Sequence, residues 1–211
     1  MRRTSDSFAA IGRLAGASVL IGLLSMTLAC EYMRPTMNEP LPQWNAAYGY
    51  RFANLPPSLA YGSDSLFMVV SFSGGGARAS ALSYGVLREL ARTPIVWEGY
   101  RKRLVDEINI INALSGGSFT AAYYALHHDR LFQDFEHRFL RKDWEGELRT
   151  RILRSPSNWF RLASPYFGRA HIFAELLDEA LFEGATFNDL VSSTQRPIIF
   201  IHASDMATVS R

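Results

Sequence analysis

The fold is decided by two short stretches of sequence, LFMVVSFSGGGAR at residues 66–78 and INIINALSGGSF at residues 108–119. Each begins with a nearly continuous apolar run, which is typical of a strand buried on both faces, as in a parallel sheet. Each run ends in glycine and serine, residues that permit a sharp change of chain direction. The two stretches therefore predict two strands, each followed by a tight turn.

Helical periodicity follows each of these turns. Residues 77–91 carry Leu82, Val86 and Leu90 at a spacing of four, which predicts a helix with these side chains along one face. Residues 119–127 predict a second helix, after the second turn. Strand, crossover helix, strand and helix form the βαβ arrangement of α/β proteins.

The rest of the chain extends this pattern. Residues 131–190 are mostly helical in pattern and rich in aromatic side chains, and Pro94 ends the first helical region. The apolar run PIIFIHA at residues 197–203 predicts a third buried strand. The expected fold is therefore α/β, with a mainly parallel central sheet.

Composition excludes several classes of protein. The 211 residues are 48% hydrophobic and 20% charged, which is a globular composition. The 22 basic and 20 acidic residues nearly balance, so nothing indicates a nucleic-acid partner. A single cysteine rules out a disulfide within the chain and a zinc site built from cysteines.

The N-terminus resembles a bacterial lipoprotein export signal. Basic residues precede an apolar run at residues 14–29 that is shorter than the roughly 20 residues of a spanning helix. Cys30 directly follows Ala29, which predicts a signal peptide at residues 1–29 and lipidation of Cys30. Glu31 in the next position favours the outer membrane, by analogy with enterobacterial lipoproteins. An uncleaved anchor and ordinary signal cleavage are the alternatives.

A proline-rich tether is expected between this anchor and the domain. Residues 30–64 contain five prolines that break any regular period, and residues 65–211 form the expected domain. The tether also carries aromatic residues that could pack onto the domain: Trp44, Tyr48, Tyr50 and Phe52.

The triglycine run is a candidate anion site. Gly74, Gly75 and Gly76 stand between a strand and a helix, where backbone N–H groups at a helix start attract negative charge. A flexible turn and a phosphate cradle are alternative interpretations. A P-loop is not indicated, because no Gly-Lys-Ser/Thr follows.

Ser115 is the candidate nucleophile. It follows a strand directly and precedes a helix, which is the setting of a nucleophile elbow, and Ala113 and Gly117 occupy the small-residue positions of the G-x-S-x-G pattern. Ser118 is the rival serine, but Thr120 stands where its second glycine would be. Ser118 fits better as the N-cap of the helix.

Together the two loops resemble those of the patatin-like phospholipase family. The resemblance rests on SFSGGGARA at residues 71–79, NALSGGS at residues 112–118 and ASDMAT at residues 203–208. It implies a three-layer α/β sandwich and a serine hydrolase of phospholipid or other lipid esters at a membrane surface. No metal or organic cofactor is implied.

The same resemblance implies roles for particular residues. Ser115 would attack the acyl carbonyl, and the backbone N–H groups of the triglycine loop and Gly116 would hold the oxyanion. Arg78 would fix the loop or face the charge of the substrate.

One part of the family pattern is missing from the sequence. The family pairs its serine with an aspartate in an Asp-Gly motif downstream of the A-[ST]-D turn, but the chain contains no Asp-Gly pair. Asp205 lies in the turn itself, and the five histidines are expected to be surface or packing residues. Either the chain is the N-terminal part of a longer enzyme, truncated at its C-terminus, or it is a shortened relative whose catalysis has lapsed. We therefore expect weak or no turnover from this chain alone.

Two other functions compete with hydrolysis. A catalytically inactive lipoprotein could hold acyl chains in the aromatic-rich helical region. An α/β domain that binds an anion or nucleotide through the triglycine loop is less well supported, because no ribose-binding acidic residue stands at a persuasive spacing.

Overall fold

The computed structural model describes residues 42–47, 49–51, 54, 66–192 and 197–202. The predicted signal peptide, Cys30, most of the tether and the segment at 203–208 lie outside the described residues. The chain divides into two compact units. The described part of the smaller unit is Trp144–Leu176, and the larger unit contains the remaining described residues.

The elements alternate between strand and helix at first and are mainly helical after β4. In chain order they are β1 (Met68–Phe72), α1 (Gly76–Arg92), β2 (Pro94–Trp97), β3 (Tyr100–Arg103), β4 (Ile108–Leu114), α2 (Gly116–His127), α3 (Leu131–Phe135), α4 (Trp144–Arg154), α5 (Pro156–Leu162), α6 (Arg169–Leu177), α7 (Phe187–Ser192) and β5 (Ile198–His202). Single 3₁₀ turns precede β4 and follow α2, and π-helical turns extend α3 and α6.

The three predicted strands form one parallel sheet in the order β1-β4-β5. Ser71 pairs with Asn112, which pairs with Phe200, so the carboxyl ends of the three strands meet at one edge. The α/β class with a parallel central sheet is therefore confirmed.

Helices cover one face of this sheet in the part of the chain that is described. Ile111, Ala113 and Ile199 point to that face and are almost fully buried, because α2 packs across β4 and β5. On the opposite face, Leu114 and Phe200 are each 41% exposed.

The crossover between β1 and β4 contains a hairpin that was not predicted from the sequence. Strands β2 and β3 are antiparallel, and their two-residue turn is Glu98-Gly99 with φ of 52° and 81°. Two successive positive φ angles identify a type I′ turn, whose twist matches that of a hairpin. Pro94 does end the helical region, as predicted, but it also begins this hairpin.

The apolar face predicted for α1 was wrong. Leu82 is 67% exposed and Val86 is 37% exposed. The helix instead buries the small side chains of Ala79, Ser80 and Ser83 and, further along, the large side chains of Tyr84 and Leu87. The small residues near its start allow α1 to approach α2 closely there, where leucines would hold the two helices apart.

Aromatic side chains fill the core beneath α1 and α2. Phe135 is fully buried, and its ring lies 5.1 Å from that of Tyr123 and 5.2 Å from that of Phe139, between ring centroids. The Tyr123 hydroxyl donates to Asp134 at 2.6 Å. Burial, followed by this bond to the Asp134 carboxylate, raises the pKa of Tyr123 to about 12.

Within the larger unit, polar contacts hold the segment after α6 against α2 and the π-helical turn after α3. His127 Nε2 lies 3.2 Å from the carbonyl oxygen of Leu181, and Arg138 donates to Glu183 at 3.1 Å. Tyr50, from the predicted tether, accepts a bond from the Ile199 N–H at 2.8 Å. Its ring also packs against Phe187 at 5.5 Å.

The smaller unit is helical in its described part. Trp144 meets Phe173 edge to face at 6.0 Å, and the Arg161 guanidinium pairs with both carboxylate oxygens of Glu175. Arg161 also lies 3.9 Å above the ring of Phe167. Among all the described residues, no helix is long and apolar enough to cross a membrane.

Replacement of Phe135 tests the aromatic core. We expect Phe135→Ala to lower the free energy of unfolding by about 3–5 kcal/mol, because it removes a fully buried ring and leaves a cavity. Phe160→Ala, at a residue 68% exposed, is the control and should change it by less than about 0.5 kcal/mol. Urea unfolding measures both, and equal effects would contradict the assigned core.

Candidate active site

Ser115 stands on a strained bend between β4 and α2. Its φ of 48° and ψ of −120° are unusual for a residue with a side chain, and its side chain is exposed. Ala113 and Ala121, which flank the bend, are almost fully buried, so no bulky side chain surrounds the turn. A strained, exposed serine between strand and helix has the geometry of a nucleophile elbow.

The rival serine has a different environment. Ser118 is 8% exposed, and its hydroxyl has no hydrogen-bond partner among the described residues. Its N–H donates to the carbonyl oxygen of Ser115 at 3.0 Å, which closes the first turn of α2. Ser118 is therefore packed inside the turn, and Ser115 is the serine that solvent reaches.

The triglycine loop lies directly against the Ser115 bend. A Cβ built on Gly116 would come within 2.1 Å of the carbonyl oxygen of Gly76, so the two backbones are in contact. A Cβ on Gly74 would lie 3.2 Å from the Cβ of Ser115. The structure thus brings together the predicted residues Gly74, Gly76, Ser115 and Gly116.

Two helices begin at this contact. Gly75 and Gly76 have φ of 144° and 61°, conformations that favour glycine, and α1 starts at Gly76 while α2 starts at Gly116. The first N–H groups of each helix have no partner within it and carry partial positive charge. The amides nearest Ser115 are therefore suited to stabilise an oxyanion.

Two buried hydroxyl groups join the helix starts, and neither was predicted from the sequence. Ser80 donates to the carbonyl oxygen of Gly116 at 2.5 Å, and Thr120 donates to the carbonyl oxygen of Ser80 at 3.0 Å. Both side chains are fully buried. The sequence does contain a pattern that could have indicated them. Ser80 stands four residues after Gly76, and Thr120 stands four residues after Gly116, the glycines at which the two helices begin.

Arg78 does not fix the loop through its side chain in the described structure. It is exposed on the first turn of α1, and no hydrogen bond or ion pair joins it to another described residue. Two roles were predicted for Arg78, fixing the loop and facing the charge of the substrate. Its exposed position is compatible with the second.

A shallow depression of about 330 Å³ lies beside the bend at the carboxyl ends of the strands. Polar side chains in its lining are Ser71, Ser73, Asn112 and His202. His202 pairs in register with Leu114, the residue before Ser115. None of the residues that line the depression carries a carboxylate, and Asp205 lies outside the described residues.

Three other histidines have packing contacts. His127 lies against the Tyr123 ring, and His128 meets Tyr124 edge to face. Burial lowers the pKa of His128. His171 accepts a hydrogen bond from the Gly168 N–H at 2.9 Å, whereas His137 is exposed.

Comparison with protein families agrees with this geometry. The sequence model described as patatin-like phospholipase matches residues 70–209, more than half of the chain. The chain belongs to the patatin-like phospholipase family. The match includes the triglycine loop and the Ser115 bend. No curated protein and no solved structure matches the chain.

Membership of the patatin-like phospholipase family gives the coarse function. It indicates a serine hydrolase of lipid acyl esters, with an esterase or phospholipase activity. The roles of Ser115, the glycine amides and Arg78 remain predictions. The structure shows that the glycine loop lies next to Ser115 and that Ser115 and Arg78 are exposed.

Substitution of Gly116 tests the backbone contact. Gly116→Ala should lower the free energy of unfolding by about 1–3 kcal/mol, because its Cβ would overlap the Gly76 carbonyl and force the loops apart. Gly85→Ala is the control, since a Cβ there meets nothing within 4 Å. It should stabilise α1 by up to about 1 kcal/mol. Urea unfolding that ranks Gly116→Ala as harmless would refute the contact.

Proposed function

We propose that this protein is a serine acyl hydrolase of membrane lipid esters, of the phospholipase A or lysophospholipase type, with Ser115 as its nucleophile. The observation that carries the proposal is the strained, exposed Ser115 packed against the triglycine loop. Family membership supports a lipid ester as the substrate.

In the proposed reaction the Ser115 hydroxyl attacks the ester carbonyl. Backbone N–H groups of Gly75, Gly76 and Gly116 stabilise the negative charge that develops on the carbonyl oxygen, and each well-placed donor contributes about 3–4 kcal/mol. The alcohol leaves, and water then releases the fatty acid from the acyl-serine. None of these steps needs a metal or an organic cofactor.

The general base is the incomplete part of the proposed site. The family's aspartate belongs to an Asp-Gly motif, which this sequence lacks. A nucleophile without its base still lies in an oxyanion pocket, so slow covalent capture of a reactive probe is expected even where turnover is weak.

Labelling with a fluorophosphonate tests the nucleophile. We expect the full chain to be labelled, Ser115→Ala to lose labelling, and Ser118→Ala to keep it, because Ser118 is buried and Ser115 is exposed. Intact-protein mass spectrometry after probe treatment measures the labelled fraction.

Two outcomes would contradict the proposal. Labelling that survives Ser115→Ala would move the nucleophile elsewhere. A folded chain that no fluorophosphonate labels would favour the alternative function, a catalytically inactive lipid-binding lipoprotein. That alternative is motivated by the missing Asp-Gly motif.

We also propose that the protein is lipid-anchored in the cell envelope, in the outer membrane. The support is sequence alone: a signal peptide at residues 1–29, Cys30 directly after it, Glu31, a tether at residues 30–64 and the domain at residues 65–211. An anchor of this kind would hold the domain beside its lipid substrate, since several acyl chains give stable membrane attachment.

Replacement of Cys30 tests the anchor. In cells fed an alkyne fatty acid, the wild-type chain should incorporate the label and sediment with membranes. Cys30→Ser should do neither, because the thiol that accepts the lipid is gone. Ser25→Ala, within the same predicted signal peptide, is the control and should leave labelling intact. Equal lipid incorporation by the Cys30 variant would exclude the lipoprotein assignment.

A further inference from the structure

The smaller unit contains a long segment that is positively charged and has no acidic residue. Between Glu147 and Glu175 the sequence has no aspartate or glutamate, and it has five arginines: Arg149, Arg151, Arg154, Arg161 and Arg169. The segment forms most of α4, all of α5 and most of α6. Since the whole chain has a formal net charge of only +2, this excess of positive charge is a local property of the smaller unit.

Three of these arginines lie on the surface without a strong acidic partner. Arg154 and Arg169 are exposed, and no hydrogen bond or ion pair joins either one to another described residue. Arg149 lies 3.8 Å from Glu145, but both side chains are exposed, so water screens the pair. Their positive charge is therefore available to a partner outside the chain.

Two of the three arginines line the same depression. Arg149, Ile152 and Leu153 lie on one face of α4, because they are three and four residues apart. Together with Glu145 and with Arg169 of α6, they line a depression of about 320 Å³. The depression thus combines two guanidinium groups with aliphatic side chains.

Exposed apolar side chains continue this surface. None of the residues of α4 is buried, and Leu153 is 61% exposed. Trp159 is 54% exposed, and its Nε1–H donates to the carbonyl oxygen of Ile152 at 2.6 Å, so the indole lies beside the end of α4. We call Arg149, Leu153, Trp159 and Arg169 the α4 surface.

We propose that the α4 surface is a docking site for an anionic lipid bilayer. Guanidinium groups bind the phosphates of lipid headgroups, and each arginine near an anionic membrane contributes about fivefold in affinity. Tryptophan and leucine side chains are suited to the boundary between the headgroups and the acyl chains. None of the four residues belongs to the candidate active site, so this contact goes beyond the proposed hydrolysis at Ser115.

A bilayer matches both the charge and the apolar part of the surface. A nucleic acid would pair with the arginines but leave Leu153 without a complementary group, and the nearly balanced charge of the whole chain is not that of a nucleic-acid-binding protein. Arg161 does not join the surface as a free charge, because it pairs with both carboxylate oxygens of Glu175.

The first experiment tests the charge of the α4 surface. A full chain that carries Ser115→Ala, and so leaves the lipids intact, is mixed with phosphatidylcholine vesicles that contain or lack phosphatidylglycerol. Sedimentation of the vesicles measures the affinity. Arg149→Gln with Arg169→Gln should weaken binding to the anionic vesicles about tenfold or more, because two guanidinium groups are lost, and should leave binding to the neutral vesicles unchanged.

A matched pair of arginines in the larger unit is the control. Arg92 and Arg101 are also exposed, so Arg92→Gln with Arg101→Gln removes the same charge at a different place. This variant should weaken binding to the anionic vesicles less than about threefold, because only general attraction is reduced. Residues 14–29 are apolar and could bind vesicles themselves, but they are the same in every variant, so their contribution cancels in these ratios.

The second experiment tests the apolar part of the surface. Leu153→Ser should weaken binding to the anionic vesicles about fivefold, because a half-buried leucine contact with the bilayer is lost. Leu82→Ser is the control: Leu82 is 67% exposed on α1, outside the surface, and its replacement should change the affinity less than about twofold. Thermal melts establish that each variant is folded.

Fluorescence quenching locates the contact. Lipids with brominated acyl chains should quench part of the tryptophan fluorescence of the bound chain. That part should disappear in Trp159→Phe and persist in Trp97→Phe, since Trp97 lies in the larger unit.

Several outcomes would overturn the docking site. They are equal losses from the two arginine pairs, equal losses from the two leucines, and quenching that Trp159→Phe does not change. A chain whose Arg149 and Arg169 bind polyuridylate or an acidic polypeptide, but which shows no preference for anionic vesicles, would also refute it. Fluorophosphonate labelling tests Ser115 separately, so vesicle binding without labelling would support the docking site and refute the hydrolase.

Discussion

The architecture of the site depends on a backbone contact between two glycines. Gly76 and Gly116 begin α1 and α2, and a single methyl group on Gly116 would overlap the Gly76 carbonyl. Because this contact fixes the distance between the helix starts, α1 must present small side chains to α2. The buried hydroxyls of Ser80 and Thr120 then satisfy carbonyl oxygens that the close packing removes from water.

The same contact creates the electrostatics of the site. Two helices direct their amino ends toward one point, and the strained bend at Ser115 holds a hydroxyl beside them. Partial positive charge from unpaired N–H groups is therefore available without any charged side chain. Strain at Ser115 costs free energy, and the buried alanines and the packing of α2 on the sheet oppose its relaxation.

The parallel sheet determines which residues surround the Ser115 bend. Its strands end together, so residues far apart in sequence, such as Ser71, Asn112 and His202, line one depression. On the face that α2 covers, the ends of β5 and α7 leave an apolar groove. Ile201 of the groove and His202 of the depression are neighbours on β5.

The sequence by itself determined the three strands, the helices that follow them, the α/β class and the identity of the two loops. Apolar runs and glycine turns are local signals, and they were sufficient for these features. It did not predict the hairpin at Glu98-Gly99, and it assigned Leu82 and Val86 to the apolar face of α1. Only the tertiary structure decided which face of α1 is buried, because the buried face depends on how closely α2 approaches α1. It also decided that Ser115 is exposed while Ser118 is buried, since burial is set by residues distant in sequence.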